Sequence, residues 1–281
     1  MTNTAASVLG TSKPRSIGEF GGTWALVTGA SSGLGEVFAR KLAHRGANLI
    51  LAARSGDRLG RLATDLARVG GVEARSVAVD LSEPEGVRTL LDAVGEMGVF
   101  VEHLFNNAGF GSAGAFSEPS GERERAMVRL NAEAVVALSH ALLGPMLAAG
   151  RGGIVNVAST AAFQPVPYMA TYAASKAFVL SFTLSLARET ADKGVRVMAL
   201  CPGPVKTGFQ EAAGISRPGL RIAELGAEET VERALDAYAR GEVFYVPGFV
   251  NGAQSVAAKL LPRGFLSWLT VKAMRRLGRG D

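Results

Sequence analysis

The sequence predicts an α/β protein: one Rossmann-like, doubly wound domain with a seven-stranded parallel sheet, followed by a basic amphipathic helical tail. Three observations predict this fold. Short apolar runs rich in Val, Leu and Ile alternate with longer segments of helical periodicity. Most of these runs are apolar throughout, as expected for strands that helices cover on both faces. A glycine-rich turn, Thr28–Gly35, joins the first run to the first helix.

The elements follow from these patterns in chain order. The predicted strands are Trp24–Thr28, Asn48–Ala53, Val72–Val79, His103–Asn106, Gly153–Ala158, Val195–Leu200 and Val243–Val246. The predicted helices are Gly33–Arg45, Asp57–Val69, Pro84–Glu96, Glu122–Ala149, Tyr168–Lys193 and Glu228–Arg240. Because neither an internal repeat nor a low-complexity linker precedes residue 250, we predict one domain over residues 21–250. Residues 1–20 are predicted to be a flexible arm, and 251–281 a helical extension.

Composition excludes several classes of protein. With 281 residues, 48% hydrophobic and 20% charged, the chain has the composition of a globular protein. The single cysteine, Cys201, excludes an internal disulfide and a multi-cysteine zinc site, and three scattered histidines show no metal-ligand spacing. We therefore predict no metal. The net charge of +5 comes from the extension, so the main body is not expected to bind nucleic acid.

The sequence favours a cytoplasmic protein. The N-terminus lacks a charged region followed by a long apolar run, so a secretory signal is not expected. No uninterrupted apolar stretch has the length of a membrane span. A lone cysteine also suits a reducing compartment.

The extension, residues 251–281, combines six Lys and Arg residues and one Asp with Trp, Phe and Leu side chains. Such a basic amphipathic segment suits peripheral contact with an anionic membrane surface. The alternative is a helical pair that folds back on its own domain or on a partner subunit.

The glycine-rich turn predicts a nucleotide site. It lies between a strand and a helix, where glycine lets the backbone approach a ligand and the free amides of the helix favour an anionic group. The alternative is a tight strand-to-helix connection. The candidate binding residues of the turn are Thr28, Gly29, Ser31, Ser32, Gly33, Leu34 and Gly35.

The end of the second strand indicates which dinucleotide is bound. Dinucleotide folds that bind NAD place an acidic residue here, whereas an arginine accommodates the 2′-phosphate of NADP. Neither Asp nor Glu occurs between Ala47 and Gly56, and Arg54 follows the strand. We predict that NADP(H) is preferred, with NAD(H) as the alternative. Asp57 is interpreted as a helix N-cap, and Arg54 could also be only an exposed arginine.

Tyr172 and Lys176 are four residues apart and share one face of a predicted helix. A neighbouring ammonium stabilises a phenolate and lowers the pKa of a tyrosine, which then exchanges protons with an alcohol or carbonyl oxygen. Ser159 follows a strand, at the sheet edge where open α/β folds bind ligands. An ordinary amphipathic helix is the alternative for the pair alone. Tyr168 lacks a lysine at i+4 and is interpreted as a packing residue.

Together these motifs resemble the short-chain dehydrogenase/reductase family over roughly residues 22–250. The resemblance rests on the order and spacing of Thr28–Gly35, Asp80-Leu81, Asn106-Asn107-Ala108-Gly109, Asn131, Ser159, Tyr172 with Lys176, and Pro202-Gly203 with Thr207. It implies strand order 3-2-1-4-5-6-7 and hydride transfer between NAD(P)(H) and a carbonyl or alcohol.

The resemblance also implies roles for individual residues. Tyr172 would be the general acid/base, Lys176 would lower its pKa and hold the nicotinamide ribose, and Ser159 would bind the substrate oxygen. Asn131 would hold a water in a proton relay. The further cofactor contacts implied are Arg54, Asp80, Leu81, Asn107, Ala108, Gly109, Pro202, Gly203, Val205 and Thr207. Ser32 departs from the basic residue that many NADP-preferring members have before the second glycine.

The expected function is therefore an NADP(H)-dependent oxidoreductase of a small-molecule carbonyl or secondary alcohol. Apolar residues of the segment Val205–Leu225, including Phe209, Ile215 and Leu220, predict an apolar substrate beneath a lid hinged at Gly214 and Gly219. One alternative is a 3-hydroxy acid or 3-oxoacyl oxidoreductase, favoured if Lys206, Arg217 or Arg221 faces the pocket. Another is a catalytically silent NADP-binding regulatory or scaffold protein. The resemblance implies a homodimer or homotetramer.

Overall fold

A seven-stranded parallel sheet runs through the protein in the order β3-β2-β1-β4-β5-β6-β7. The structure is a computed structural model that describes residues 20–209, 213 and 224–276. The strands are β1 Trp24–Thr28, β2 Asn48–Ala53, β3 Ala74–Ala78, β4 Val101–Asn106, β5 Gly152–Val157, β6 Val195–Leu200 and β7 Phe244–Tyr245. The predicted fold class and strand order are confirmed. The predicted arm lies outside the described residues, apart from Phe20.

Helices cover both faces of the sheet. They are α1 Gly33–His44, α2 Gly56–Gly70, α3 Gly86–Glu96, α4 Gly121–Val128, α5 Ala134–Ala149, α6 Ala170–Glu189, α7 Ala227–Ala239, α8 Phe249–Leu260 and α9 Arg263–Arg276. A 3-10 turn, Thr160–Phe163, lies between β5 and α6. The predicted strands and most of the predicted helices end within two residues of the observed bounds.

The apolar runs of the strands are explained by two cores, one on each face of the sheet. In β1, Ala25 and Val27 contribute to one core while Leu26 contributes to the other. In β2, Leu49 contributes to the first core and Ile50 to the second. Because successive strand side chains point to opposite faces, a strand covered on both sides is apolar at every position.

The strand order reverses between β1 and β4. From β1 the chain proceeds outward through β2 and β3, and then crosses back so that β4 pairs with the other side of β1. The helices that follow β1 and β4 therefore diverge, which leaves a crevice at the carboxyl ends of these strands. Ligands of open α/β sheets bind at such a switch point.

The prediction of one continuous α-helix over Glu122–Ala149 is wrong, because the α-helix is interrupted. A five-residue π-helical segment, Arg129–Glu133, separates α4 from α5. By length and composition alone, the run Gly121–Ala149 is sufficient to cross a membrane. In this structure α5 packs against β4 and β5 as a helix of the domain.

The predicted extension begins within α8 and continues through α9. The inner face of α8 buries Asn251, Ser255 and Ala258, and α8 packs on the 3-10 turn Thr160–Phe163. Leu266 of α9 is also buried. The two helices thus lie against the domain, next to the turn that follows Ser159.

Candidate active site

A cavity of about 660 Å³ opens at the carboxyl ends of the strands, around the switch point between β1 and β4. Its walls are the turn after β1, the segments that follow β2 to β6, and the inner face of α6. The predicted residues that line it are Gly29, Ser31, Ser32, Gly33, Leu34, Arg54, Asp80, Leu81, Asn107, Ala108, Gly109, Ser159, Tyr172, Lys176, Pro202, Gly203, Val205 and Thr207. Residues far apart in sequence therefore converge on one site.

The turn after β1 requires glycine at two positions. Gly29 has φ +67°, and a Cβ there would lie 2.9 Å from the Cα of Ala108. A Cβ on Gly35 would overlap the carbonyl oxygen of Gly29. Ser32 precedes α1 without a side-chain capping bond. The N-terminal end of α1 thus faces the cavity closely, where its dipole favours an anionic group.

Two predicted cofactor residues, Thr28 and Gly35, lie behind the cavity wall and do not line it. The hydroxyl of Thr28 is buried and accepts hydrogen bonds from the N–H groups of Asn107 and Ala108, both at 3.0 Å. In return, Nδ2 of Asn107 donates to the carbonyl oxygen of Thr28 at 2.9 Å. Thr28 therefore ties the ends of β1 and β4 together and positions the wall, while Gly35 leaves space for the turn.

Basic residues surround one end of the cavity, at the carboxyl ends of β2 and β3. Arg54 is largely exposed, with Nη1 3.8 Å from Oδ2 of Asp80. Oδ1 of Asp80 accepts hydrogen bonds from the N–H of Ser82 at 2.9 Å and from its hydroxyl at 2.6 Å. Arg58, in the first turn of α2, lines the same end. Arg58 was not predicted, because Arg54 lies outside α2 and no helical spacing relates the two arginines.

Ser159, Tyr172 and Lys176 meet at the other end of the cavity. Ser159 begins the 3-10 turn and its Oγ accepts from the N–H of Ala161 at 3.1 Å. A hydrogen bond joins Ser159 to the phenol of Tyr172. Tyr172 and Lys176 lie on the buried face of α6, and Nζ of Lys176 donates to the carbonyl oxygen of Val157 at 2.8 Å. The helical spacing thus places Tyr172 and Lys176 on one face of α6, and Ser159 approaches them from the end of β5.

The pKa of Tyr172 differs in direction from the expectation. Burial raises the pKa of the phenol, and the hydrogen bond from Ser159 offsets this only in part. Burial also lowers the pKa of Lys176 to about 8. The net shift of the phenol is therefore upward, opposite to the expected direction, because desolvation outweighs the groups that favour the phenolate. At neutral pH the phenol holds its proton and the ammonium is mostly charged.

Asn131 lies in the π-helical segment, fully buried behind Gly109. Its Oδ1 accepts from the N–H of Phe110 at 3.1 Å, and its Nδ2 donates to the carbonyl oxygen of Phe110 at 2.9 Å and to Ser175 at 3.1 Å. Asn131 does not line the cavity. It fixes the backbone of Phe110, which does.

Gly109 lets this wall approach the catalytic end. A Cβ on Gly109 would lie 3.0 Å from Oδ1 of Asn131 and 3.3 Å from Nζ of Lys176. Pro202, Gly203 and Val205 form the opposite wall. A Cβ on Gly203 would overlap the side chain of Asn251. The first turn of α8 therefore supports the cavity from behind.

Apolar groups surround the phenol of Tyr172. The ring of Phe209 lies 5.4 Å from the Tyr172 ring, centroid to centroid. A Cβ on Gly111 would lie 3.1 Å from Phe209 and 3.3 Å from Tyr172. Phe110 and Leu130 also line the cavity. Sequence reasoning named Phe209 as part of a lid but missed Phe110, Gly111 and Leu130, because no spacing rule relates them to the phenol.

One test of the alternatives from the sequence has an outcome here. Of the three cations that would favour an anionic substrate, Lys206 does not line the cavity, and Arg217 and Arg221 lie outside the described residues. The lid residues Gly214, Ile215, Gly219 and Leu220 lie outside them as well.

Comparisons with known proteins agree with this geometry. A family model described as short chain dehydrogenase matches residues 23–217. The chain is 31% identical over 256 residues to a very-long-chain 3-oxoacyl-CoA reductase of Anas platyrhynchos, covering 88% of this chain and 75% of that protein.

Two solved structures are similar in both sequence and fold. A short-chain dehydrogenase from Sphingobium yanoikuyae in complex with NADPH is 30% identical, with a TM-score of 0.75 over 85% of this chain and 96% of that one. A short chain dehydrogenase/reductase from Burkholderia phymatum in complex with NAD is also 30% identical, with a TM-score of 0.75 over 85% of this chain and 93% of that one.

Proposed function

Because the chain belongs to the short-chain dehydrogenase/reductase family, we propose that Ser159, Tyr172 and Lys176 carry out its reaction. The chain is an NAD(P)-dependent oxidoreductase that interconverts carbonyl and alcohol groups of small molecules. The observation that supports the three residues most directly is their convergence at one end of a cavity that the glycine-rich turn also lines.

The cavity fits a nicotinamide dinucleotide. Gly29 and Gly33 line the cavity with φ angles of +67° and +59°, and a helix N-terminus faces the same space. Ser31, Ser32 and Leu34 would hold the phosphates, and Val205 and Thr207 would border the nicotinamide. When bound, the dinucleotide supplies or accepts the hydride.

Tyr172 acts as the proton donor in the direction of reduction. At neutral pH the phenolic oxygen holds its proton, which is available for a carbonyl oxygen held at that position. Ser159, hydrogen bonded to the phenol, donates to the same substrate oxygen. The ammonium of Lys176 stabilises the phenolate that remains. In oxidation of an alcohol the proton returns to the phenolic oxygen.

NADP(H) is the preferred dinucleotide in this proposal. Arg54 and Arg58 are two guanidinium groups at one end of the cavity, and guanidinium binds phosphate with strong, charge-assisted hydrogen bonds. Asp80, the acidic residue at this end, follows β3 and already accepts two hydrogen bonds from Ser82. Similar structures hold NADPH in one case and NAD in another, so the preference is argued from Arg54 and Arg58.

The substrate is proposed to be an apolar ketone or the corresponding secondary alcohol. Gly111 and Phe209 give the catalytic end an apolar wall beside Tyr172, and Phe110 and Leu130 also line the cavity. A similar protein of Anas platyrhynchos is named a very-long-chain 3-oxoacyl-CoA reductase, which agrees with a long acyl substituent. Lys206, one of the three cations that would favour an anionic substrate, does not line the cavity. A silent scaffold is not favoured, because all three catalytic groups are present and close together.

We propose a homodimer or homotetramer in the cytoplasm. Phe178 and Leu184 on the outer face of α6 are 47% and 36% exposed, and Phe178 stacks on Phe182 at 6.2 Å. This apolar face suits contact with a second copy. We also propose that residues 251–281 make peripheral contact with a membrane.

A purified-enzyme screen tests the proposed function. Ketones of graded size would be offered with NADPH or NADH, and consumption followed by nicotinamide absorbance. We expect the highest kcat/KM with NADPH and a bulky or long-chain ketone. Turnover restricted to charged ketones, or a preference for NADH, would contradict the proposed substrate class or cofactor, respectively.

A further inference from the structure

The C-terminal helix α9 exposes an apolar stripe. Phe265, Trp268 and Leu269 are 49%, 58% and 45% exposed, and Leu261, just before the helix, is exposed as well. Their spacing of three and four residues places them on one side of α9. The helix is held on the domain by the other side, where Leu266 is 4% exposed.

The charge next to this stripe is positive. Lys272 follows one turn after Trp268, and its ammonium lies 5.3 Å from the Trp268 ring centroid. Residues 251–281 contain six Lys and Arg and a single acidic residue, Asp281. A second copy of α9 docked on the stripe would bring two such segments of like charge together. An anionic surface complements them.

Trp and Phe beside Lys is also the composition of helices that lie in a membrane interface. The aromatic rings insert at the level of the lipid headgroups, and the long basic side chains reach the phosphates. We therefore propose that α9 docks on an anionic lipid bilayer through Leu261, Phe265, Trp268 and Leu269, with Lys272 at the headgroups.

One loop connects α9 to the catalytic end of the cavity, where Tyr172 lies. The Thr270 hydroxyl, on α9, lies 3.3 Å from the carbonyl oxygen of Pro165. Pro165 belongs to the loop between the 3-10 turn and α6. That loop includes Tyr168, which has the unusual φ of +65° and whose carbonyl oxygen accepts from the N–H of Gly114 at 3.0 Å.

The C-terminal end of the same loop reaches the cavity. Met169 precedes α6, and its Cε would lie 3.6 Å from a Cβ on Gly111, which borders Tyr172. Helix α9 thus contacts the loop, and the loop contacts the apolar wall of the cavity. Resting on the proposed function, the inference is that the substrate is a ketone dissolved in the membrane, which enters the cavity from the α9 side.

Vesicle sedimentation tests the docking face without relying on turnover. The full-length protein would be mixed with vesicles of phosphatidylcholine alone or of phosphatidylcholine with phosphatidylglycerol. We expect binding to the anionic vesicles that weakens in high salt. The double variant F265S/W268S should bind about tenfold more weakly or worse. The control V69S/F116S changes two exposed apolar residues elsewhere and should bind like the unmodified protein.

Three results would overturn the docking proposal: no binding of the unmodified protein to anionic vesicles, equal binding of F265S/W268S, or equal loss in the control. If F265S/W268S instead reduces the oligomer size seen by light scattering while vesicle binding is unchanged, the stripe contacts a second copy and the proposal is wrong.

A kinetic comparison tests membrane delivery of the substrate. For a long-chain ketone presented in anionic vesicles, F265S/W268S should raise KM about tenfold and leave kcat unchanged. For a short, water-soluble ketone both parameters should stay unchanged. Equal KM values on the vesicle-borne ketone would overturn the delivery step. An unmodified protein that binds vesicles but reduces neither ketone would instead count against the proposed function.

Discussion

The ammonium of Lys176 is charged over a narrower pH range than that of an exposed lysine, because burial lowers its pKa to about 8. Below that pH the positive charge stabilises the phenolate of Tyr172, and above it the charge is lost. We expect kcat/KM for ketone reduction to fall as the pH rises through about 8. In Lys176→Arg, whose guanidinium stays charged, the fall should move to higher pH. An identical profile for both proteins would contradict this role.

Arg58 is a proposed determinant of the choice between NADPH and NADH. If its guanidinium binds the 2′-phosphate, Arg58→Ala loses a charge-assisted hydrogen bond and should raise the KM for NADPH about ten- to a hundredfold. The KM for NADH should not change. Arg61→Ala is a matched control, since Arg61 is exposed on the same helix and does not line the cavity. Equal effects of Arg58→Ala on the two dinucleotides would refute the assignment.

Strands and helices that follow from hydrophobic periodicity can be predicted from the sequence, whereas features that depend on tertiary packing cannot. The strands were predicted closely, since helices on both faces make them apolar at every position. The interruption of Glu122–Ala149 was missed because residues 129–133 have ordinary helical composition. Within this π-helical segment Asn131 hydrogen bonds with Phe110, a contact between distant segments that no local sequence pattern reveals.

This π-helical segment yields a prediction. Asn131→Ala leaves the N–H and carbonyl of Phe110 without their side-chain partner, which should lower the free energy of unfolding by about 2 kcal/mol. Because Phe110 lines the cavity and Asn131 does not, Asn131 acts as a positioning residue, and we expect KM for the ketone to rise as well. Urea denaturation and steady-state kinetics would measure both effects. Unchanged values of both would show that the segment does not depend on this side chain.

The candidate site, like the helices and strands, could be predicted from the sequence only in part. The three catalytic groups and the glycine turn have fixed spacings that the sequence displays. Thr28 and Gly35 were assigned to the cofactor, but they lie behind the wall, since sequence cannot distinguish a lining residue from its support. The direction of the Tyr172 pKa was also missed, because burial arises only when α6 packs on the sheet.

For the whole molecule, His103 links folding to pH. It is buried between Phe20, at 4.9 Å between ring centroids, and Tyr238, whose hydroxyl lies 2.9 Å from Nδ1. Burial lowers the pKa of His103 from 6.5 to about 4. Between these values the unfolded chain binds a proton that the folded protein does not. Stability contributed by neutral His103 is therefore present above pH 6.5 and decreases as the pH falls.

Lowering the pH from 6.5 to about 4 should thus reduce the free energy of unfolding by about 3 kcal/mol through His103 alone. Denaturant titrations at several pH values would measure the decrease. In His103→Gln the pH dependence should be smaller, even though the variant is less stable at neutral pH. His44→Gln changes an exposed histidine and should retain the full dependence. An equal slope in all three proteins would rule out His103 as the cause.

The role of Tyr172 as proton donor is tested most directly by the removal of one oxygen atom, in Tyr172→Phe, with Tyr168→Phe as the control. NADPH affinity, measured by fluorescence titration, and ketone reduction would be compared for both variants. We predict that Tyr172→Phe binds NADPH as the unmodified protein does and loses about a thousandfold in kcat, whereas Tyr168→Phe keeps its kcat. Turnover by Tyr172→Phe close to that of the unmodified protein would contradict the assignment of the proton donor.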